Sequence, residues 1–115
     1  MFYTDEKGEQ HELAKFDQAM GAAQALYQQE GASQDPAVRE KALGHQYDFL
    51  KKAVLDKDWL AETLRGKTLA SIDIVELGSL TLEIEYAYQA KIFETMERVK
   101  KLRAALMTGT VQSRA

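Results

Sequence analysis

The feature that most constrains the fold is the segment from Ile72 to Met107, in which proline is absent and Gly78 is the only glycine. Asp73 can cap a helix here, and Glu76, three residues later, completes an aspartate version of the capping box. At about 1.5 Å per residue, one unbroken helix would be about 50 Å long. A globular chain of 115 residues has a diameter of about 35 Å. Such a helix would extend beyond the body and would need a partner.

Part of this segment, residues 80–88, allows two interpretations. Every second residue from Leu80 to Tyr88 is apolar, which is the period of a half-buried strand. Helical spacing instead accounts for the whole segment, so we predict a helix whose seam contains Leu77, Leu80, Ile84, Tyr88, Ile92, Met96, Val99, Leu102 and Leu106. Leu82 and Tyr86 would then form a second apolar face. The helix should therefore be covered on two sides over residues 77–88 and carry a single seam over residues 91–107.

Three shorter helices are predicted upstream. The first should end near Glu30 with Gly31 just beyond it, and its apolar face consists of Leu13, Phe16, Met20, Ala23 and Tyr27. Asp35 and Pro36 should begin the second helix, which is expected to end near residues 54–55. The third should run from Lys57 to Arg65, with Asp56 as its N-cap and Gly66 as its terminator.

The first residues are the least helical part of the chain. Residues 2–13 are consistent with a short hairpin in which Gly8 supplies a positive φ angle, and equally with a frayed terminus. We therefore predict an all-α fold: a small bundle of about four helices with a long C-terminal helix and, as one alternative, a short N-terminal β-hairpin. Residues 1–109 should form a single helical domain. Gly109 should end the last helix, and residues 110–115 should form a flexible tail.

Composition excludes several functional classes. The net charge of −3 gives no indication of nucleic acid as a partner, and the absence of cysteine excludes a disulfide scaffold or a thiolate metal site. No leader peptide or membrane-spanning run is evident, so we expect a cytoplasmic protein with no membrane partner.

Few residues have the pattern of a catalytic or metal site. His11 lacks the second histidine of a zinc-binding helix, and His45 is expected to be a surface or half-buried structural residue. Asp56 and Asp58 are better explained by helix capping than by a calcium loop. Glu83 has no nearby histidine partner in the sequence, so an enzyme using Glu83 or His45 is only a distant alternative. We expect no catalytic residues, no metal and no cofactor.

The stretch from Tyr47 to Arg98 resembles the tail assembly chaperones of long-tailed (siphovirus-type) bacteriophages, which are small acidic helical proteins. The resemblance covers about half the chain and consists of helix-packing patterns: Tyr47-Asp48-Phe49-Leu50, Trp59-Leu60, Leu69-Ala70-Ser71-Ile72-Asp73, Glu76-Leu77, Leu82-Glu83-Ile84 and Ala87-Tyr88. It implies a non-enzymatic protein of the host cytoplasm that binds the tape measure protein and helps to recruit tail tube subunits. It also implies assembly into homo-oligomers.

Protein interaction is therefore the expected activity, and the long helix is its expected site. The candidate interaction residues are Tyr86, Tyr88, Ile92, Met96, Val99, Leu102 and Leu106. The alternative is a generic helical adaptor or regulatory protein that dimerises through the same C-terminal helix.

Overall fold

The chain is mostly helical, with a small two-stranded antiparallel hairpin before the first helix. The computed structural model describes the backbone of residues 1–114 and the side chains of residues 1–108. The elements are β1 (Phe2–Thr4), β2 (Gln10–Glu12), α1 (Gln18–Gly31), α2 (Pro36–Ala53), α3 (Lys57–Leu64) and α4 (Ile74–Arg114). This confirms the predicted helical character, the four helices and the long C-terminal helix.

The tertiary contacts divide the chain into two compact units. The N-terminal unit is Met1–Glu85, and the second unit, the arm, is Tyr86–Ala115. The single domain predicted over residues 1–109 takes in the first unit and most of the second, and it stays a prediction. The expected helix end at Gly109 is wrong, because the backbone of α4 continues to Arg114. The flexibility expected for residues 110–115 stays a prediction.

The N-terminal hairpin is formed because its turn satisfies its own polar groups. Oδ1 of Asp5 accepts hydrogen bonds from the backbone N–H groups of Lys7 and Glu9, each at 2.9 Å. Gly8 has a φ angle of +82°, a conformation that glycine adopts without a steric penalty. Tyr3 pairs with His11 across the strands. The hairpin alternative is therefore confirmed.

The first helix starts later than predicted. Leu13 is buried as expected, but it forms an isolated antiparallel bridge with Val54 instead of a helical turn. Asp17 is the N-cap, and its side chain accepts a hydrogen bond from the Met20 N–H. The chain also stays helical through Gly31, where we expected the helix to have ended. Leu13 fits the helical spacing although it is extended, because a side chain can point towards the same core from a helical or an extended backbone.

The second and third helices begin as the sequence predicts. Asp35 caps α2 with Pro36 in its first turn, and Asp56 caps α3 by accepting from the Trp59 N–H at 3.1 Å. The end of α3 differs from the prediction, because Arg65 and not Gly66 adopts the left-handed conformation, with φ of 61°.

α1 and α2 pack against each other, and the core of the N-terminal unit contains buried side chains from all four helices. The Tyr27 and Phe49 rings meet edge-on with their centroids 5.6 Å apart, an arrangement that aromatic pairs favour. The largest fully buried side chains are Phe49, Met20, Leu50, Leu64, Leu77, Ile84 and Val54. Burial of these side chains supplies the main driving force for folding this unit.

The first turns of α4 complete this unit. Asp73 accepts from the N–H groups of Val75 and Glu76, which confirms it as the N-cap. Residues 80–88 are helical, so the strand alternative is wrong. Leu77, Leu80 and Ile84 are buried, as the seam predicts.

The predicted second covered face of α4 is wrong. Leu82 is 68% exposed and Tyr86 is 74% exposed. Helical periodicity places both side chains away from the Leu77–Ile84 face. The apolar pattern correctly located a second face, but no other segment covers that face in the residues described.

Candidate interaction surfaces

An exposed apolar stripe follows the arm and is the main candidate site. Its five residues are separated by steps of four, three, three and four, which keeps them on one face of a helix. Their exposures lie between 45% and 70%, and they are Ile92, Met96, Val99, Leu102 and Leu106. These five belong to the predicted interaction set.

The two tyrosines of that predicted set occupy opposite environments. Tyr86 is 74% exposed, so its ring is accessible to a partner. Tyr88 is 3% exposed, which removes it from the accessible surface. Tyr88 lies four residues after Ile84 and so continues the buried face of α4, as the helical period requires.

The charges around the stripe are unevenly distributed. At about 100° per residue, Lys91, Arg98 and Lys100 lie about 80–100° to either side of Val99, along the edges of the stripe, and Arg103 lies about 40° from Val99, among the stripe residues. The acidic residues 94 and 97 lie about 140–160° away, on the far face. The stripe is therefore a mainly apolar surface with basic edges and one arginine, Arg103, among its members.

A second candidate site is a polar cleft within the N-terminal unit. Its volume is about 540 Å³, and it lies between the hairpin turn, α3 and the first turns of α4. The rings of Tyr3 and Trp59, with centroids 5.8 Å apart, line one part of it. The Tyr3 hydroxyl donates a hydrogen bond to the Glu83 carboxylate.

Acidic side chains dominate the lining of this cleft. It contains six carboxylates against two cationic side chains, namely Asp5, Glu6, Glu9, Glu62, Glu76 and Glu83 against Lys7 and Arg65. The pKa of the Tyr3 hydroxyl is raised above its usual value, first by burial and then by Glu83, Asp5 and Glu6. The surroundings of Tyr3 therefore disfavour a further negative charge.

One cluster in the hairpin brings together residues of the types that commonly bind metal ions. Ligand atoms of Asp5, Glu9 and His11 lie within 4.8 Å of each other. Asp5 Oδ2 lies 2.7 Å from His11 Nε2, and the His11 ring stacks on Trp59 with centroids 3.8 Å apart. Since Asp5 Oδ1 already accepts two backbone N–H groups, these contacts give the cluster a structural role in holding the hairpin against α3.

The Asp5 carboxylate should make the stability of the protein depend on acid pH. The hydrogen bond with His11 is the largest cause that lowers the Asp5 pKa below its usual 3.8. A carboxylate with a lowered folded-state pKa stabilises the fold above its unfolded pKa, and this contribution is lost as the pH falls through the folded pKa. The unfolding free energy of Asp5→Asn should thus fall less steeply below about pH 4 than that of the natural chain. Urea denaturation across this pH range measures the difference, and identical profiles would contradict it.

The two residues of the distant enzyme alternative both have local partners. His45 Nδ1 is hydrogen-bonded to the Glu30 carboxylate, a contact that joins α2 to α1. Glu83 accepts from Tyr3. His45 is half-buried, as predicted for a structural histidine.

Comparisons with models of protein families, with curated proteins and with solved structures found no match. Within the part of the chain that is described, no helix combines the length and the apolarity that a membrane crossing requires.

Sequence reasoning missed the cleft altogether. Tyr3 is far from Trp59 and Glu62 in the sequence, and the three side chains line one cleft only in the folded N-terminal unit. The available signal was the distribution of charge along the chain, which the net value of −3 conceals.

Proposed function

We propose that this protein is a non-enzymatic tail assembly chaperone of a long-tailed bacteriophage, acting in the host cytoplasm. In this role it binds the tape measure protein and helps to recruit tail tube subunits as the tube grows. The observation that carries the proposal is the exposed apolar stripe of the arm, Ile92 to Leu106. The resemblance over Tyr47 to Arg98 supports the choice of family.

The stripe suits a helical partner for a physical reason. Covering five exposed apolar side chains with a second apolar helical face removes their surface from water, which favours association. The basic edges at Lys91, Arg98 and Lys100 favour a partner whose own apolar face has acidic edges. A long helical protein that needs protection until it assembles would present such faces repeatedly.

Introducing a charge into the stripe should abolish the chaperone effect. Co-expression with the tape measure protein should raise the soluble fraction of that protein several-fold. Val99→Glu or Leu102→Glu should remove most of this gain, because a carboxylate would be desolvated in the apolar contact. The soluble fraction, measured on gels after centrifugation, provides the readout.

Ala104→Glu is the matched control for these variants. Ala104 is exposed and lies about 140° around the helix from Val99, so it adds the same charge outside the stripe. It should preserve the gain in solubility. If the natural chain does not solubilise the tape measure protein, the proposal fails. If Ala104→Glu lowers the soluble fraction of the tape measure protein as much as Val99→Glu does, the stripe is not the surface that binds that protein.

A helical adaptor or regulator that dimerises through the same stripe remains the alternative. In that case the purified protein alone should form a dimer that Val99→Glu dissociates and Ala104→Glu preserves. The neighbouring genes also distinguish the two: a tail tube gene upstream and a very long helical gene downstream would favour the chaperone.

A further inference from the structure

Charge is strongly segregated between the two units of the chain. The N-terminal unit has nine Lys and Arg against sixteen Asp and Glu, a net charge of −7. The arm has six Lys and Arg against two Glu, a net charge of +4. Every copy of the chain therefore has one unit with a net negative charge and one unit with a net positive charge. Such complementarity steers and orients association.

The acidic surface includes a concave site suited to cationic side chains. The cleft has the volume for one or two long side chains, and its carboxylates outnumber its cations by six to two. Tyr3 and Trp59 add aromatic rings, which attract ammonium and guanidinium groups. Glu62 is exposed and takes part in none of the ion pairs described for residues 1–108.

The basic surface presents matching groups. Lys100 and Lys101 are adjacent and exposed on the arm. Lys101 lies about 160° around the helix from Val99, and Lys100 lies about 100° from it on the stripe's edge. Both ammonium groups can therefore enter a cleft while the centre of the stripe stays open.

We infer that the basic segment of the arm, centred on Lys100 and Lys101, docks in the acidic cleft of a second copy of this chain. The two surfaces are different, so the contact is heterologous and each copy offers one donor surface and one acceptor surface. Repetition of such a contact produces a ring or an open filament. The inference concerns the purified chain alone and does not depend on the tape measure protein.

Salt provides the first test. The mass of the natural chain, measured by sedimentation or light scattering, should increase with protein concentration at about 0.05 M salt and decrease towards the monomer at about 0.5 M, where charges are screened. A chain that is monomeric at every concentration in low salt would overturn the inference, as would an oligomer unaffected by salt.

Removing the net charge of each surface provides the second test, because two Glu→Lys changes take the cleft from −4 to zero and two Lys→Glu changes take the arm from +4 to zero. The cleft variant is Glu6→Lys/Glu62→Lys, and both of its positions are exposed and lie away from the helix N-caps. The arm variant is Lys100→Glu/Lys101→Glu. Each variant alone should self-associate at least about tenfold more weakly than the natural chain. Circular dichroism confirms that each is folded.

Mixing the two variants gives the decisive result. The cleft variant keeps a natural arm and the arm variant keeps a natural cleft, so one productive contact is possible and chain growth must stop there. The mixture should form a one-to-one dimer in low salt and no larger species.

Other outcomes overturn the inference. If the mixture remains monomeric, the two surfaces do not meet between copies. If either variant alone associates like the natural chain, another surface is responsible. These readouts use no tape measure protein, so their failure is distinguishable from failure of the proposed function.

Discussion

Replacing Phe49 with alanine should lower the free energy of unfolding by about 3–5 kcal/mol. Phe49 is 0% exposed and packs edge-on against Tyr27 in the contact between α1 and α2. The substitution removes the buried ring and leaves a cavity that the surrounding helices fill only in part. Since domains of this kind are stable by about 5–15 kcal/mol, the loss is a large share of the total. Urea denaturation followed by circular dichroism measures it.

Phe93→Ala is the matched control for this prediction. Phe93 is 66% exposed, so the same truncation removes little buried surface. Its effect on the unfolding free energy should stay within about 0.5 kcal/mol. A cost below about 1 kcal/mol for Phe49→Ala would mean that the Phe49 ring is not tightly packed in the core of the N-terminal unit.

A methyl group at Gly66 should destabilise the protein by about 1–3 kcal/mol. It would lie 2.9 Å from the carbonyl carbon and oxygen of Ser71 and 2.5 Å from its Oγ. The Ser71 backbone is held by the turn that precedes α4, where its N–H donates to the Thr68 carbonyl at 3.0 Å. The added methyl group therefore forces a shift of backbone instead of a side-chain rotation.

Gly78→Ala should instead stabilise the protein. A Cβ atom at Gly78 meets nothing within 4 Å, and the residue lies inside α4. Alanine loses less conformational entropy in a helix than glycine does, so we expect a gain of about 0.5–1 kcal/mol. Chemical denaturation of the two variants side by side tests the pair. Equal effects at Gly66 and Gly78 would show that close approach to Ser71 is not what requires glycine.

The starts of α2, α3 and α4 were the most predictable part of the fold. Asp35, Asp56 and Asp73 are N-caps as predicted, because capping depends on a side chain and on backbone groups only two or three residues away. The end of α3 was less predictable. Arg65 takes the left-handed conformation there, and Gly66 is required instead for its close approach to Ser71.

The start of α1 shows how apolar spacing can mislead. Leu13 fits a helical face in the sequence, but its N–H donates to the Met1 carbonyl at 2.8 Å in the extended N-terminal segment. That pairing depends on a residue at the other end of the hairpin. Local periodicity therefore predicted that Leu13 is buried but not its conformation.

The two candidate surfaces also differ in whether the sequence could predict them. The stripe from Ile92 to Leu106 could be predicted because its members recur at helical spacing within one segment. The cleft around Tyr3, Trp59 and Glu62 could not, because it joins side chains from three elements. The segregation of charge is present in the sequence, and the boundary between Glu85 and Tyr86 assigns each sign to a separate unit.

The sequence by itself determined that the chain is mostly helical, where α2, α3 and α4 begin, and which faces of α4 are apolar. These properties depend on neighbouring residues, through capping and helical periodicity. Only the tertiary structure decided which faces are covered: Ile84 is buried, Leu82 is exposed, and the stripe of the arm is left accessible. The physical reason is that burial depends on what another segment brings to a face, and residue spacing along one helix does not contain that information.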